Sequence, residues 1–312
     1  MNLLKKCDIC GKSSFKFLFK QKDKNFNFPD EFSLYKCRNC GLIFINPQLS
    51  WKELERYYPQ TEYYAFKEII KKEESKKVQL KLFLYDIYCN PKKNNYFLRI
   101  LFSPIKVLVR GIKIVPHQKL LDIGCGSGQF LYEMKQFGFD VQGIEPSYFN
   151  KKAAKILNIK PDLIKAKYPD NFFDVITMNH VLQHVNNPSQ ILTEIHRILK
   201  KKGILIIGIS NYRSLAYALF KKNWLQLDIP RHLSNYSDKL LIKFLEKKKF
   251  KVIKNHHNSR PNQFVDSLYF ALNIKQRKGI CYNILKGVFL PLTWIVNALK
   301  MGDQVEIWSI KK

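Results

Sequence analysis

An acidic side chain and three glycines stand close together in the middle of the chain. Asp122 closes a run of apolar residues, and glycines follow at 124, 126 and 128 before a helical pattern begins at Gln129. This order predicts a strand, a tight turn and a helix start whose free N–H groups face the turn. Glycines let a ligand lie against the backbone and allow positive φ. A dinucleotide loop would need glycine at 129, so a different ligand is favoured, with a glycine turn in another α/β unit as the alternative.

A second carboxylate follows the next predicted strand. Glu145 ends the apolar stretch 141–145 and precedes Pro146. A carboxylate at this position can accept hydrogen bonds from both hydroxyls of a ribose. The pair of Asp122 and Glu145 is therefore a more specific signal than the glycine loop alone.

Four of the seven cysteines form two Cys-x-x-Cys-Gly knuckles, Cys7 with Cys10 and Cys37 with Cys40. Four thiolates are the soft ligands that tetrahedral zinc prefers, whereas a redox site needs only one such pair. The sequence therefore predicts a structural zinc ion held by all four cysteines. Alternating apolar residues at 15–19 and 32–35 predict a β-hairpin between the knuckles.

The run LDIGCGSG at 121–128 resembles the first motif of the class I S-adenosylmethionine (SAM)-dependent methyltransferases. In that family the strand-end acid and the glycine loop hold the amino-acid end of SAM, and the acid after the second strand binds its ribose. A carboxylate suits a ligand with an ammonium and a sulfonium group, and it would repel a pyrophosphate. The resemblance implies SAM as cofactor, bound by Asp122, Gly124, Cys125, Gly126, Gly128, Glu145 and Asn179.

The segment after the fourth predicted strand is similar to another motif of this family. Residues 172–185 resemble its F-D-x-I…H-V-L-E-H-V pattern, with Gln183 where Glu is usual. Ligands in open α/β sheets bind outside the carboxyl ends of the strands, so His180 is expected to face the acceptor. A structural histidine is the alternative for His180 and the expected role of His184. The loop at 165–169 lacks the usual acid, which leaves Asp162 or a backbone group to contact the adenine.

The flanks of the domain resemble a narrower group of methyltransferases with an N-terminal zinc-binding segment, many of which are associated with the modification of sugars or surface polysaccharides. The shared features are the zinc knuckles, the strand before Asn46-Pro47, a short helix at 51–58, the run Glu62-Tyr63-Tyr64 and the loop Pro230-Arg231-His232-Leu233. The resemblance implies a sugar nucleotide or a lipid-linked saccharide as the acceptor.

These flanking residues have candidate roles toward the acceptor. Tyr63 and Tyr64 are candidates to line the active site, with packing between domains as an equal alternative. Arg231 could bind a phosphate or carboxylate through two parallel hydrogen bonds, and His232 could remove a proton from a hydroxyl. The alternative is structural: the loop caps a helix that starts near Ser237, and His232 is buried and hydrogen-bonded.

Composition adds a strong positive charge. The chain has 54 Lys and Arg against 25 Asp and Glu, a net charge of +29. This charge fits a solvated lysine-rich surface, or attraction to nucleic acid, an anionic membrane or a phosphorylated substrate. The basic helical region 65–117 could lie on an anionic membrane, although packing on its own domain is favoured. No signal peptide and no membrane-spanning run is recognised, so a cytoplasmic protein, peripheral at most to the inner membrane face, is predicted.

The order of elements predicts an α/β fold. We expect a Rossmann-like seven-stranded methyltransferase sheet with an antiparallel last strand, a small N-terminal zinc-ribbon module and a helical linker. The predicted domains are the zinc-ribbon-like module 1–46, the helical linker or cap 47–116, and the SAM-binding domain 117–312 with insertions at 211–235 and 256–303. The second insertion is predicted to form a helical lid or a hydrophobic docking surface. The predicted strands are 119–123, 141–145, 159–164, 172–178, 204–209, 250–255 and 302–310.

The leading hypothesis is a SAM-dependent methyltransferase that methylates an oxygen or carbon of a saccharide, with His232 and then His180 as candidate bases. RNA methylation is the alternative enzyme activity, which the net charge and the zinc ribbon fit. No Asn-Pro-Pro-Tyr-type motif follows the fourth strand, which argues against methylation of a base amine. An inactive SAM-fold adaptor at a membrane surface is the non-enzyme alternative, against which the intact Asp122, glycine loop and Glu145 argue.

Overall fold

The computed structural model describes residues 2–59, 76–90, 96–102, 112–147 and 151–312. Tyr63 and Tyr64 lie outside the described residues, as does much of the predicted helical region 65–117. The chain divides into two compact units. Unit 1 comprises Met1–Pro59 with Met178–Lys312, and unit 2 comprises Gln60–Thr177. The predicted domain boundaries at 46 and 116 stay predictions.

Seven strands form the main sheet, in the order β10-β11-β8-β7-β4-β5-β6. The strands are β4 Lys119–Ile123, β5 Asp140–Ile144, β6 Ile159–Lys160, β7 Phe173–Asn179, β8 Leu199–Ser210, β10 Phe250–His257 and β11 Gln304–Lys311. The pairs β4–β5 and β5–β6 are parallel, and β11 is antiparallel to both β8 and β10. The predicted seven-stranded sheet with an antiparallel last strand is therefore confirmed.

Two strands differ from the prediction at their ends. β6 ends at Lys160, well short of residue 164, because Pro161 has no N–H to continue the ladder. β8 begins at Leu199, five residues before the predicted start at 204, so the lysines 200–202 belong to the strand. The apolar residues that follow in β8 are buried, since this strand lies inside the sheet.

The helices of unit 2 are α2 Lys76–Cys89, α3 Tyr96–Leu101, α4 Gln129–Gln136 and α5 Lys151–Leu157. The described part of the predicted basic helix packs on its own domain. The Tyr85 ring of α2 lies 5.9 Å from that of Phe137, edge to face. Lys81 Nζ donates to both oxygens of the buried Glu133 carboxylate of α4, at 2.8 and 3.0 Å. These contacts favour the packing alternative over a membrane contact for α2.

A second, antiparallel sheet lies in unit 1, in the order β1-β2-β3-β9. Its strands are β1 Phe15–Lys22, β2 Glu31–Cys37, β3 Ile43–Ile45 and β9 Ser234–Asn235. The first two strands confirm the hairpin that was predicted between the cysteine knuckles. The fourth strand, β9, comes from a distant part of the sequence. Its residues Asn235 and Ser234 pair with Ile43 and Phe44 of β3.

The core beneath this sheet is shared between distant parts of the sequence. Phe32, Leu34 and Ile45 pack in one cluster with Trp224 and Phe264, among other residues. The remaining helices of unit 1 are α1 Trp51–Leu54, α6 Pro188–Ile198, α7 Leu215–Phe220, α8 Asp238–Lys247, α9 Asn262–Ala271 and α10 Ile280–Ala298. The N-terminal segment thus shares its hydrophobic core with residues after 211.

Candidate functional site

The glycine loop has the conformation that its sequence predicts. Gly124, Gly126 and Gly128 have φ of 69°, 55° and 82°, in the left-handed region that residues with a Cβ rarely enter. The loop is tied to the next strand, because the N–H groups of Gly124 and Cys125 donate to the Ile144 carbonyl at 2.7 and 3.1 Å. α4 begins directly after Gly128.

Both predicted acids lie at this loop. Glu145 accepts hydrogen bonds from the N–H of Gly126 at 2.8 Å and of Ser147 at 3.1 Å, and also from the Ser147 hydroxyl. Burial raises the pKa of Glu145, against these hydrogen bonds, which favour the carboxylate. Asp122 is buried and accepts a hydrogen bond from Thr177 Oγ1. Unit 2 therefore brings together every SAM-binding residue predicted between 122 and 145.

Gly143 is a part of this site that sequence analysis missed. A Cβ at Gly143 would lie 2.7 Å from Cys125 Sγ and 2.8 Å from Leu131 Cδ1. β5 therefore needs a glycine where the loop and α4 close over it. A glycine inside a strand signals such a close approach, and this was the available clue.

These residues fit SAM. The loop offers a backbone surface without side chains, and the Glu145 carboxylate lies within hydrogen-bond distance of that surface, where a ribose over the loop would meet it. Asp122 adds a buried negative charge in the same unit, which suits a cationic ligand better than a phosphate.

Asn179 is the last residue of β7 and His180 follows it, both in unit 1. The His180 N–H donates to the Gly208 carbonyl at 2.9 Å, and His180 has a φ of 55°, which is uncommon for a residue with a Cβ. A Cβ at Gly208 would come within 2.1 Å of Asn179 Oδ1, so this glycine makes room for the Asn179 side chain. The strand end is thus held in a specific shape by β8.

His184 and His232 form an adjacent pair in unit 1, with ring centroids 4.8 Å apart. His184 Nδ1 lies 2.8 Å from both the Arg231 carbonyl and the Tyr58 hydroxyl, so two oxygens hold the ring at this one nitrogen. Burial lowers the pKa of His184. These contacts give His184 the structural role that was expected for it.

His232 is buried, and its ring orientation is fixed. Its Nδ1 lies 2.8 Å from the Gln226 carbonyl, which can only accept, so Nδ1 carries the proton and Nε2 carries the lone pair in the neutral ring. Burial, followed by the neighbouring His184, lowers the pKa of His232 to about 3. The ring is therefore neutral near pH 7.

Gln183 is linked to His232 through Ser210 and Gln226. Gln183 Nε2 donates to Ser210 Oγ at 3.2 Å, and Ser210 Oγ donates to Gln226 Oε1 at 3.1 Å. The backbone carbonyl of Gln226 then holds His232. Gln183, which stands where the resembling motif has glutamate, thus serves as a neutral, buried link in a chain of hydrogen bonds.

Arg231 has a different role from the predicted one. Its side chain is 0% exposed, and its five N–H groups are all used. Two donate to Asp228 Oδ1, two to the Asp23 carboxylate and one to the Tyr57 carbonyl, at 2.7–3.0 Å. We therefore correct the expected contact with an acceptor phosphate or carboxylate: every donor already has a partner. The network instead joins the β1–β2 loop to the loop that carries His232.

The four knuckle cysteines meet at one point in unit 1. Their sulfur atoms lie within 4.8 Å of one another, with 3.5 Å between Cys7 and Cys40 and 3.6 Å between Cys10 and Cys37. Four thiolates at about 2.3 Å from zinc would stand roughly 3.8 Å apart, so the cluster fits a tetrahedral ion. The glycine after each knuckle has positive φ, and its N–H donates to the carbonyl of the first cysteine.

The fold and the glycine-loop site define a methyltransferase of the Rossmann-like class. A profile described as "Methyltransferase domain" matches residues 77–255, more than half of the chain. The chain therefore belongs to this methyltransferase family, within the class I SAM-dependent methyltransferases.

The chain is also similar to several relatives and solved structures. A ubiquinone biosynthesis O-methyltransferase of Rickettsia canadensis is 25% identical over 205 residues, which cover 61% of this chain and 72% of the relative. An uncharacterized protein of Methanocaldococcus jannaschii is 32% identical over 121 residues, 39% of this chain, and this chain spans only 53% of its length. One solved structure is titled a SAM-dependent methyltransferase, possible histamine N-methyltransferase, of Thermotoga maritima. It has a TM-score of 0.40 and 22% sequence identity, and the match covers 64% of this chain and 84% of that chain.

Proposed function

We propose that this methyltransferase methylates an oxygen or carbon atom of a sugar nucleotide or lipid-linked saccharide, in the cytoplasm at the inner face of the membrane. The family gives the reaction type, and the saccharide rests on the resemblance of the zinc segment and the Pro230–Leu233 loop. The net charge of +29 suits an acceptor that carries phosphate. We further propose that the ion held by the four cysteines is a structural zinc.

SAM, when bound, supplies a methyl group on a sulfonium, so the leaving group is already activated. The residues that would hold it are Asp122, the loop 124–128 with Cys125, Glu145 and Asn179. The remaining task of the protein is to align the acceptor and to take up its proton, and alignment alone can contribute several orders of magnitude in rate.

The fixed orientation of the His232 ring is the observation that carries the proposed base. Its Nδ1–H is fixed on the Gln226 carbonyl, which leaves the Nε2 lone pair free to accept a hydroxyl proton. Asp228 is a close negative charge, and it favours the imidazolium that forms on proton transfer. His180 is the second candidate, and Tyr63 and Tyr64 remain proposed acceptor contacts.

His232→Asn is expected to lower kcat by about two to four orders of magnitude and to leave SAM affinity unchanged, because general-base catalysis contributes on this scale. His256→Asn, in the exposed part of β10, is the control. Since the His232 pKa is lowered to about 3, the wild-type rate should not fall as pH drops through about 6.5, where an ordinary histidine is protonated. A wild-type level of activity in the Asn variant would remove His232 from the mechanism.

The acceptor class can be tested with SAM that carries a labelled methyl group. The purified chain is incubated in turn with sugar nucleotides, lipid-linked saccharides and RNA, and label is expected in a saccharide fraction. Label in RNA that decreases with salt would favour the alternative enzyme activity. Calorimetry with SAM comes first. If SAM does not bind, both enzyme activities are excluded and the inactive adaptor is the remaining hypothesis.

A second acceptor is suggested by the relatives alone. Several matches over about 60% of this chain are named ubiquinone biosynthesis O-methyltransferases. Hydroxylated precursors of ubiquinone therefore belong in the same assay. A hydroxyl acceptor of this kind would use the same proposed base, so His232→Asn tests both acceptors.

A further inference from the structure

α10 presents an apolar face outward. Tyr282, Thr293 and Val296 are buried along one side of the helix, while six large apolar residues on the rest of its surface and just beyond its C-terminus are 54–77% exposed. These six are Ile280, Ile284, Val288, Trp294, Ile295 and Leu299. Lys286 is the sole charged residue between 280 and 298, whereas a solvated helix face normally carries several charges.

The helix is attached to unit 1 along its whole length. Tyr282 Oη donates to Asp266 Oδ1 at 3.0 Å near the start, and the Phe289 ring stacks on Phe264 at 5.4 Å in the middle. Near the end, Asn297 Nδ2 donates to the Ser259 carbonyl at 3.0 Å. By length and composition α10 could also cross a bilayer, and it is the one such helix in the described part of the chain. A crossing would break all three contacts, so these contacts favour a helix that lies flat on a surface.

The charged residues in the sequence around α10, between the buried Asp266 and Asp303, are all basic. Residues 267–302 contain no Asp or Glu and five basic residues: Lys275, Arg277, Lys278, Lys286 and Lys300. Four of these flank the two ends of the helix, and Trp294 stands exposed near its C-terminal end. Basic residues beside aliphatic and tryptophan side chains are the composition of helices that bind the headgroup region of anionic membranes.

We propose that α10 is an interfacial helix that docks this methyltransferase on an anionic lipid bilayer, with the aliphatic residues between the acyl chains and the flanking lysines at the headgroups. A second copy of the chain is a poor occupant, because each copy carries a charge of +29. Nucleic acid would be attracted by the lysines, but it has no apolar surface against which the aliphatic face could be buried. The inference deepens the proposed function by naming the surface that would bring the enzyme to a lipid-linked acceptor.

The test is flotation of the full chain with vesicles of phosphatidylcholine, with and without phosphatidylglycerol. Binding is expected to the anionic vesicles only and to be reversed by alkaline carbonate. The triple variant Ile284→Gln, Val288→Gln, Ile295→Gln should lower the partition coefficient on the order of a hundredfold. A matched triple variant at exposed apolar positions elsewhere, Leu3→Gln, Ile156→Gln, Ile253→Gln, should bind as wild type.

Charge and insertion are tested separately. Lys275→Glu with Lys278→Glu should weaken vesicle binding by at least about tenfold, while Lys243→Glu with Lys247→Glu on α8 makes the same change in net charge and should have a much smaller effect. Vesicles should shift the tryptophan emission of the wild type to the blue, and Trp294→Phe should remove most of this shift. The Trp294 measurement keeps the proposal testable if the triple variant loses stability.

Several results would overturn the proposal. The first is equal vesicle binding by the α10 triple variant and the control triple variant. The second and third are equal binding of the wild type to neutral and anionic vesicles, and binding that alkaline carbonate does not reverse. The fourth is a dimer in solution that the α10 triple variant converts to monomer. The melting temperature of each variant is measured to confirm that the fold persists. Vesicle binding without methylation of any saccharide would contradict the proposed acceptor and leave the docking surface intact.

Discussion

If the four cysteines hold zinc as proposed, Cys37→Ser is expected to abolish zinc binding and to lower the melting temperature of unit 1 on the order of 10 °C or more. Structural zinc in small domains contributes about 10–16 kcal/mol of binding free energy, and a site with three thiolates loses a large share of it. Cys37 ends β2 and pairs across to Phe15 of β1, so the proposed ion would fix one end of the hairpin. Metal content and thermal unfolding are the measurements.

The matched control for this prediction is Cys281→Ser. Cys281 is exposed and lies outside the four-cysteine cluster, so its loss should leave both metal content and melting temperature unchanged. Because β3 pairs with β9 and shares the core that contains Trp224, the effect of Cys37→Ser should extend past residue 211. Hydrogen exchange that stays slow at residues 224–236 in the metal-free variant would contradict this coupling.

The conformation of the glycine loop and the position of its two acids were predictable because their signals are local. The acid before a glycine turn, and the acid after the following strand, each define a short segment whose shape depends on neighbouring residues. The parallel pairing of β4 with β5 then brings Asp122 and Glu145 to the same edge. The contacts of Gly143 with Cys125, and of Thr177 with Asp122, were not predictable in this way, since they depend on strand pairing.

The role of Arg231 could not be predicted for the same physical reason. Its partner Asp23 is 208 positions away, and a single sequence gives no sign that the two side chains meet. A buried arginine without carboxylate partners would be very costly, so this ion pair must form as the N-terminal sheet packs on the later residues. Burial and Arg231 act in opposite directions on the Asp228 carboxyl, and the guanidinium prevails, so the pKa of Asp228 is lowered.

The β9 strand shows how this long-range packing changes the predicted organisation. Residues 234–235 carry too little pattern for a strand to be recognised, and only the edge of β3 makes them one. The loop between Trp224 and Ser237 is therefore fixed on both sides, by the Arg231 network and by β9. That fixation places His232 on a rigid support, which a proposed general base requires.

Gly126→Arg is expected to weaken SAM binding by at least about a hundredfold and to leave the metal content of unit 1 unchanged. Gly126 has a φ of 55°, and its N–H donates to Glu145, so a side chain here strains the loop and fills the surface on which the ligand would lie. The added guanidinium would also compete for the Glu145 carboxylate. Calorimetry with SAM and metal analysis are the measurements.

Gly138→Arg separates backbone strain from loss of the site. Gly138 also has positive φ, at 82°, and lies in unit 2 just after α4, outside the glycine loop. A Cβ there would meet Pro116 Cβ at 3.3 Å, so this variant should lose stability but keep its SAM affinity. Equal loss of affinity in both variants would mean that unfolding alone explains the result. Wild-type affinity in Gly126→Arg would contradict the placement of SAM at this loop, because no ligand that lies on the loop backbone could tolerate that side chain.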